Sequence, residues 1–240
     1  AGEITDWSTL PPGCDLRIFR DHIFEEDALV TRLREFDIVF GMRERTPFPR
    51  SLLRRLPNLK LLITAAMANA SFDLGAATDL GIVVCGTEGD ASATTAELTW
   101  GLIFALTRNI AGESRDIYQG NWGATLGTGL SGKTLGILGL GDIGSQVAAV
   151  GHAFRMSVIA WSQNMTTALA DASGAILVTK DELFARSDVV TIQVRLTDRT
   201  RGLITGRELR LMKPTAYLIN TSRGPIVEES ALLDVLHRKS

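Results

Sequence analysis

The chain has 240 residues, 45% of them hydrophobic, and a formal charge of −2 at pH 7. That length suits one large domain or two small ones with a sizeable core, and the near-neutral balance gives no electrostatic case for nucleic acid or an anionic membrane. The longest apolar run, around Trp100–Leu106, is too short to cross a bilayer, and the N-terminal AGEITDWSTL has neither the basic region nor the apolar run of a secretion signal. Two cysteines, Cys14 and Cys85, make no disulfide framework and fit a reduced compartment, so the cytoplasm is expected by exclusion.

The first half alternates strand and helix. Residues 15–19 read as extended, and residues 25–34 as a helix with Leu29, Leu33 and Phe36 on one face. A short strand at 38–40 comes next, then Pro47 and Pro49 as punctuation. Pro49 opens a helix at 49–56, which Pro57 closes. Strands at 59–64 and 82–85 flank a helix at 72–79 that stops near Gly81. Repeated strand–helix units with short apolar strands predict a parallel sheet with helices on both faces.

Residues 85–98, CGTEGDASATTAEL, are small and polar, as a domain hinge, an active-site loop or an ordinary surface loop would be. A long helix is expected at 94–118, broken near Gly112, with Leu98, Leu102, Ala105, Leu106 and Ile110 as core or dimer contacts.

Residues 133–164 organise the second half of the chain: a strand at 134–138, a turn with Gly139, Gly141 and Gly144, a helix through Ile143, Val147, Val150 and Phe154, and a strand at 157–161. Such a turn brings backbone close to a pyrophosphate and aims a helix N-terminus at it. Glycine turns are common, but this one lies between a strand and a helix, the setting that a dinucleotide site requires. Beyond it, Thr179 with Glu182 and Thr205 with Glu208 have capping-box spacing, predicting helices at 180–186 and from 205 to before Pro214. Strands are expected at 189–194 and 216–220, the latter running into Thr221, Ser222, Arg223 and Gly224. Ends of parallel strands border the ligand crevice of open α/β sheets, which puts Arg223 beside a ligand.

These segments resemble the D-isomer-specific 2-hydroxyacid dehydrogenases, in particular the glyoxylate and hydroxypyruvate reductases. The cofactor domain of that family is matched by LSGKTLGILGLGDIG (130–144), DVVTIQVRLTDRTRGLI (188–204), MKPTAYLINTSRGPIV (212–227) and the pair Asn121–Trp122. Residues 58–73 and 81–97 resemble its substrate domain and the crossing between domains. The resemblance implies an α/β protein of two doubly wound parallel-sheet domains: a flavodoxin-like substrate domain at 1–93 and a Rossmann NAD(P)-binding domain at 94–240, both partial. It also implies hydride transfer between NAD or NADP and the C2 carbonyl of a small 2-keto acid, or the reverse from a 2-hydroxy acid.

Carried over residue by residue, Arg223 is the catalytic arginine that holds the substrate carboxylate, and Met67, Ala68 and Asn69 form the loop whose amides receive it. A glycine is usual at Ala68, so the pocket there is expected to be smaller. Cofactor contacts fall on Gly139, Gly141, Asp142, Ile143 and Gly144 for the pyrophosphate and on Thr95 for the nicotinamide. Val194, Thr200, Thr221 and Ser222 belong to the ribose and nicotinamide wall. Arg195 stands where proline is usual and Gln193 where histidine often is. At the end of the second strand, Ser162, Gln163 and Asn164 offer neither the acid that repels a 2′-phosphate nor a cation that selects it, so NAD and NADP both remain open. Arg155, where glycine is commoner, reads as a solvated arginine at a helix end.

The family's catalytic histidine and its paired carboxylate match none of His22, His152 or His237 and lie in the family past the position of Ser240; a longer polypeptide that also begins earlier is the simplest expectation, and a truncated form is its rival. A homodimer is expected through the helix near Thr94 and the segment around Trp122. No metal is expected, since no His/Cys/Asp cluster has ligand spacing. The alternative reading is a non-catalytic NAD(H)-binding module of the same fold, corepressor-like or regulatory.

Overall fold

The computed structural model describes residues 7–65, 67–87, 92–123 and 125–238. The chain divides into two compact units, Ala1–Gly89 and Asp90–Ser240. Residues 88–91, in the middle of the small polar segment, lie outside the described residues.

In the first unit, helix α1 (Glu26–Leu33) leads to strand β1 (Ile38–Gly41), α2 (Arg50–Leu53) to β2 (Leu61–Thr64), and α3 (Leu74–Asp79) to β3 (Val83–Gly86). The strands are parallel in the order β1-β2-β3, with Val39 opposite Leu62 and Leu62 opposite Val84. These three residues face a core of Leu33, Phe48, Leu52, Leu53, Phe72 and Ala76. The opposite face, Ile38, Phe40, Leu61, Ile63, Val83 and Cys85, is exposed or half-buried.

Residues 15–19 form no strand: they are exposed and join no ladder, so their alternating apolar residues have no sheet to enter. The Asp73 carboxylate caps α3 by accepting from the Ala76 amide at 2.8 Å, and Gly81, at φ +71°, ends the turn after it.

The second unit opens with α4 (Ser92–Thr107) and α5 (Ile110–Tyr118). The break falls at Asn109, not at Gly112, which sits inside α5. Asn109 adopts the left-handed conformation (φ 48°, ψ 40°), which asparagine tolerates better than other non-glycine residues. The core side of α4 is Ala96, Thr99, Trp100, Ile103 and Thr107, whereas Leu98, Leu102 and Leu106 are exposed.

Next come β4 (Thr134–Leu138), α6 (Asp142–Ala153), β5 (Ser157–Trp161), α7 (Thr167–Ala172), β6 (Ile176–Leu177), α8 (Lys180–Arg186), β7 (Val189–Ile192), α9 (Gly206–Leu211), β8 (Tyr217–Asn220) and α10 (Glu229–Arg238). The five strands are parallel in the order β6-β5-β4-β7-β8. One face packs Leu135, Ile137 and Val158 against Trp100, Ile103 and Val147 of α4 and α6. The other packs Leu138, Ile159, Val190 and Ile192 against Phe184 of α8 and Leu209 of α9. Both predicted capping boxes are formed, by Thr179 with Glu182 and Thr205 with Glu208.

Two carboxylates tie elements of this unit together. Asp188, just before β7, accepts from the Thr134 amide at 2.8 Å and from Lys213 Nζ at 3.0 Å. Burial pushes its pKa up, but that amide and the Lys213 and Lys133 ammonium groups win and hold it below the usual range. Glu208 is nearly fully buried, with Lys180 Nζ at 2.9 Å. Burial raises its pKa too, and the bonds from Lys180 and from the hydroxyl and amide of Thr205 overcome that, bringing it to about 2.

Candidate functional site: the glycine turn at the sheet's switch point

The strand order runs outward in two directions from β4, through β5 to β6 on one side and through β7 to β8 on the other. The crevice at the carboxyl ends of β4 and β7 is the place where an open α/β sheet receives a ligand. The glycine turn occupies it.

Each glycine there answers a different demand. Gly139 has φ +98°, and a β-carbon on it would lie 2.7 Å from Val194 Cγ1 and 2.8 Å from the Gln193 carbonyl oxygen. At Gly144 a β-carbon would lie 2.2 Å from the Gly139 carbonyl oxygen, so α6 can start this close to the strand only without a side chain. A β-carbon at Gly141 would meet nothing within 4 Å, which leaves open space at the N-cap of α6. No side chain among the described residues caps that helix. Open space beside uncapped amides at a helix N-terminus fits a diphosphate, and the amides of Asp142, Ile143 and Gly144 are the groups that would hold it.

Around the turn, the neighbouring strand ends are tied together. The Gly139 amide donates to the Trp161 carbonyl at 2.9 Å, which sets the half-buried Ser162 and exposed Gln163 next to the turn at the end of β5. After β7, Gln193 Nε2 donates to Thr191 Oγ1 at 2.8 Å and lies 3.2 Å from both Thr99 Oγ1 and Thr221 Oγ1. Those last two hydroxyls are 2.9 Å apart, and Thr99 also donates to the carbonyl of half-buried Thr95 at 2.9 Å. A helix and two strand ends thus converge on one amide. Sequence reasoning misses Thr99 and Thr191, because no motif marks them.

The loop after β7 is closed by Thr200, whose hydroxyl donates to the Arg195 carbonyl at 2.6 Å and accepts from the Thr197 amide at 2.8 Å. That hydroxyl holds the loop. The Ser222 hydroxyl bonds the Val194 carbonyl, joining the loop after β8 to the loop after β7. Within TSRG, Asn220 Oδ1 accepts from the Ser222 amide and its Nδ2 donates to the Arg223 carbonyl, both at 3.0 Å. Arg223 is half-buried in extended backbone, with Nη1 3.1 Å from the Ser222 carbonyl. Sequence positions 139–144, 162–163, 193–195 and 221–223 therefore meet at one end of one sheet.

In the first unit, Met67 and Ala68 are exposed after β2, whereas Asn69 is buried. Asn69 Nδ2 donates to the Arg43 carbonyl at 2.6 Å and to Thr64 Oγ1 at 3.0 Å, and its Oδ1 accepts from the Ser71 amide at 2.9 Å. Its side chain shapes the loop, while the amides of Ala68 and Asn69 make no hydrogen bond among the described residues.

None of the histidines joins these groups. His22 packs its ring on Phe24, His152 Nε2 lies 3.1 Å from the Ser173 carbonyl, and His237 is in the last turn of α10. Among the described residues no group of three His, Cys, Asp or Glu could hold a metal, and no helix is long and apolar enough to cross a membrane.

A family model described as D-isomer specific 2-hydroxyacid dehydrogenase, NAD binding domain, matches residues 100–240. The glyoxylate reductase of Aeropyrum pernix is 37% identical over 219 residues, 88% of this chain and 65% of that protein. A crystal structure of phosphoglycerate oxidoreductase from Vibrio cholerae o395 matches with a TM-score of 0.88 and 36% identity, covering 95% of this chain and 74% of that one. D-lactate dehydrogenase from Aquifex aeolicus, complexed with NAD and lactic acid, matches with a TM-score of 0.76 and 29% identity over 88% of this chain and 63% of that one. The chain spans just under two thirds of the Aeropyrum pernix relative. The matched region takes in the five-stranded sheet, the glycine turn and the TSRG loop, and the chain belongs to the D-isomer specific 2-hydroxyacid dehydrogenase family.

Proposed function

We propose that the protein is an NAD(P)-dependent D-2-hydroxyacid dehydrogenase acting on a small 2-keto acid such as glyoxylate, hydroxypyruvate or a pyruvate-like compound. The observation that carries this reading is the position of Arg223 at the end of β8, joined through Ser222 and Val194 to the glycine turn. A bound nicotinamide supplies or takes the hydride at its C4. In this reading the amides of Asp142, Ile143 and Gly144 hold the diphosphate, Ser162 and Gln163 lie along the adenosine ribose, and Thr95, Val194, Thr221 and Ser222 border the nicotinamide half. Thr200 acts by holding its loop.

Arg223 is assigned to the substrate carboxylate, which a planar guanidinium can bind in two places while polarising the neighbouring carbonyl. The amides of Ala68 and Asn69 are assigned to substrate binding on the family likeness. Residues 1–93 and 94–240 then serve as substrate and cofactor domains, in a cytosolic setting that accords with free Cys14 and Cys85.

A homodimer is part of the proposal. Leu98, Leu102 and Leu106 are spaced four apart on α4 and are 57%, 38% and 49% exposed, and Ile110, Ile117 and Trp122 are exposed as well.

The test is Arg223→Ala in protein expressed from the whole coding sequence, assayed with NADH and NADPH against a panel of 2-keto acids. Loss of a charge-assisted contact is expected to lower kcat/KM by about 10- to 150-fold, equivalent to about 1.5–3 kcal/mol, with NADH affinity retained. Full turnover by the variant would refute the assignment. Dinucleotide binding by the wild type without turnover of any 2-keto acid would favour the non-catalytic module.

A further inference from the structure

We propose that Arg195 is a cofactor-affinity residue that pairs with the dinucleotide's diphosphate and offsets the charge of Asp142. The inference rests on the dinucleotide reading of the glycine turn.

Asp142 creates the need for such a residue. It is exposed in the first turn of α6, the turn whose amides are assigned to the diphosphate, so its carboxylate repels the anion that those amides attract. A site built this way binds more tightly with a cation within reach. Val194 touches the turn at Gly139, and Arg195 is the next residue in the chain, three beyond Ile192, which pairs with Leu138 at the end of the strand that carries the turn.

Arg195 is exposed, and among the described residues its guanidinium makes no ion pair or hydrogen bond; neither Asp142 nor Asp198 is within salt-bridge distance. Its backbone is fixed all the same, because the Arg195 carbonyl accepts from the Thr200 hydroxyl and Ser222 bonds the carbonyl just before it. A charge on a fixed backbone beside an anion site, unspent on any internal partner, is available to a ligand. Arg199 carries the same charge four residues on, within the Thr197–Thr200 turn, and serves as the control for loop charge in general.

The experiment titrates protein from the whole coding sequence with NADH, NADPH and ADP-ribose, by fluorescence and calorimetry, at low salt and at high salt. For Arg195→Gln, Kd is expected to rise about tenfold for all three ligands at low salt, with a smaller difference at high salt. Arg195→Lys should recover part of the loss, Arg199→Gln should bind like wild type, and the Arg195→Gln melting temperature should be unchanged.

Three results overturn the inference: equal Kd for Arg195→Gln and wild type, an effect confined to NADPH, which would make the 2′-phosphate the partner, or an equal loss in Arg199→Gln. Absence of NADH binding by the wild type would remove the dinucleotide reading itself, and this inference with it.

Discussion

Gly139 and Val194 are in such close contact that a β-carbon on the glycine would lie 2.7 Å from the valine Cγ1. The carboxyl ends of β4 and β7 are thereby joined at the point where the strand order reverses.

Gly139→Ala and Gly141→Ala should separate folding from binding. At Gly139 a side chain meets both the steric penalty of φ +98° and the contacts with Val194 and Gln193, so a stability loss on the order of 2–4 kcal/mol is expected in urea unfolding. At Gly141 the added methyl group enters open space. Stability should therefore hold while NADH affinity falls, because the methyl occupies room that the diphosphate needs. Equal stability for the two variants would disprove this account of the turn.

Acid unfolding should reveal Glu208. Its pKa is lowered to about 2 in the folded protein, below the usual 4.5, so its contribution is present above about pH 4.5 and is lost as pH falls toward 2. Glu208→Gln should cost on the order of 2–3 kcal/mol at pH 7, since it leaves Lys180 without its buried partner and weakens the cap at Thr205. The difference between variant and wild type should narrow through that acid window. A gap that stays constant from pH 7 to pH 3 would contradict the assignment.

The exposed leucines of α4 give the proposed dimer a direct test. Leu102→Glu combined with Leu106→Glu should yield a monomer in sedimentation velocity while the far-ultraviolet spectrum is retained. Neither side chain belongs to the buried core, so the fold should survive the change. An unchanged sedimentation coefficient would place the interface elsewhere.

Much of the second unit is legible in the sequence because its signals are local. The strand at 134–138, both capping boxes and the end of β8 can be read from apolar runs and from residues three apart. The convergence of Thr99, Thr191 and Thr221 on Gln193 cannot, since these residues become neighbours only after the sheet has formed. The short β6 and α7 leave too little periodicity to detect. Glycine is the commoner helix breaker, which points to Gly112, whereas the chain turns at a left-handed asparagine. Residues 15–19 show the opposite error: their alternating pattern resembles a strand, yet a strand also requires a neighbour. For Asn69, the loop is recognisable from family likeness, but the burial of its side chain under three hydrogen bonds is not.

Helix α6 lies against the sheet through two missing side chains. A β-carbon at Gly144 would meet the Gly139 carbonyl oxygen at 2.2 Å, and one at Gly151, two turns later, would meet Leu135 Cδ2 at 2.8 Å. The helix is therefore seated at both ends by the sheet itself, and its first amides are aimed before any ligand arrives. Little of the free energy of binding is then spent on ordering the protein, and most of the entropy lost on binding is the ligand's own.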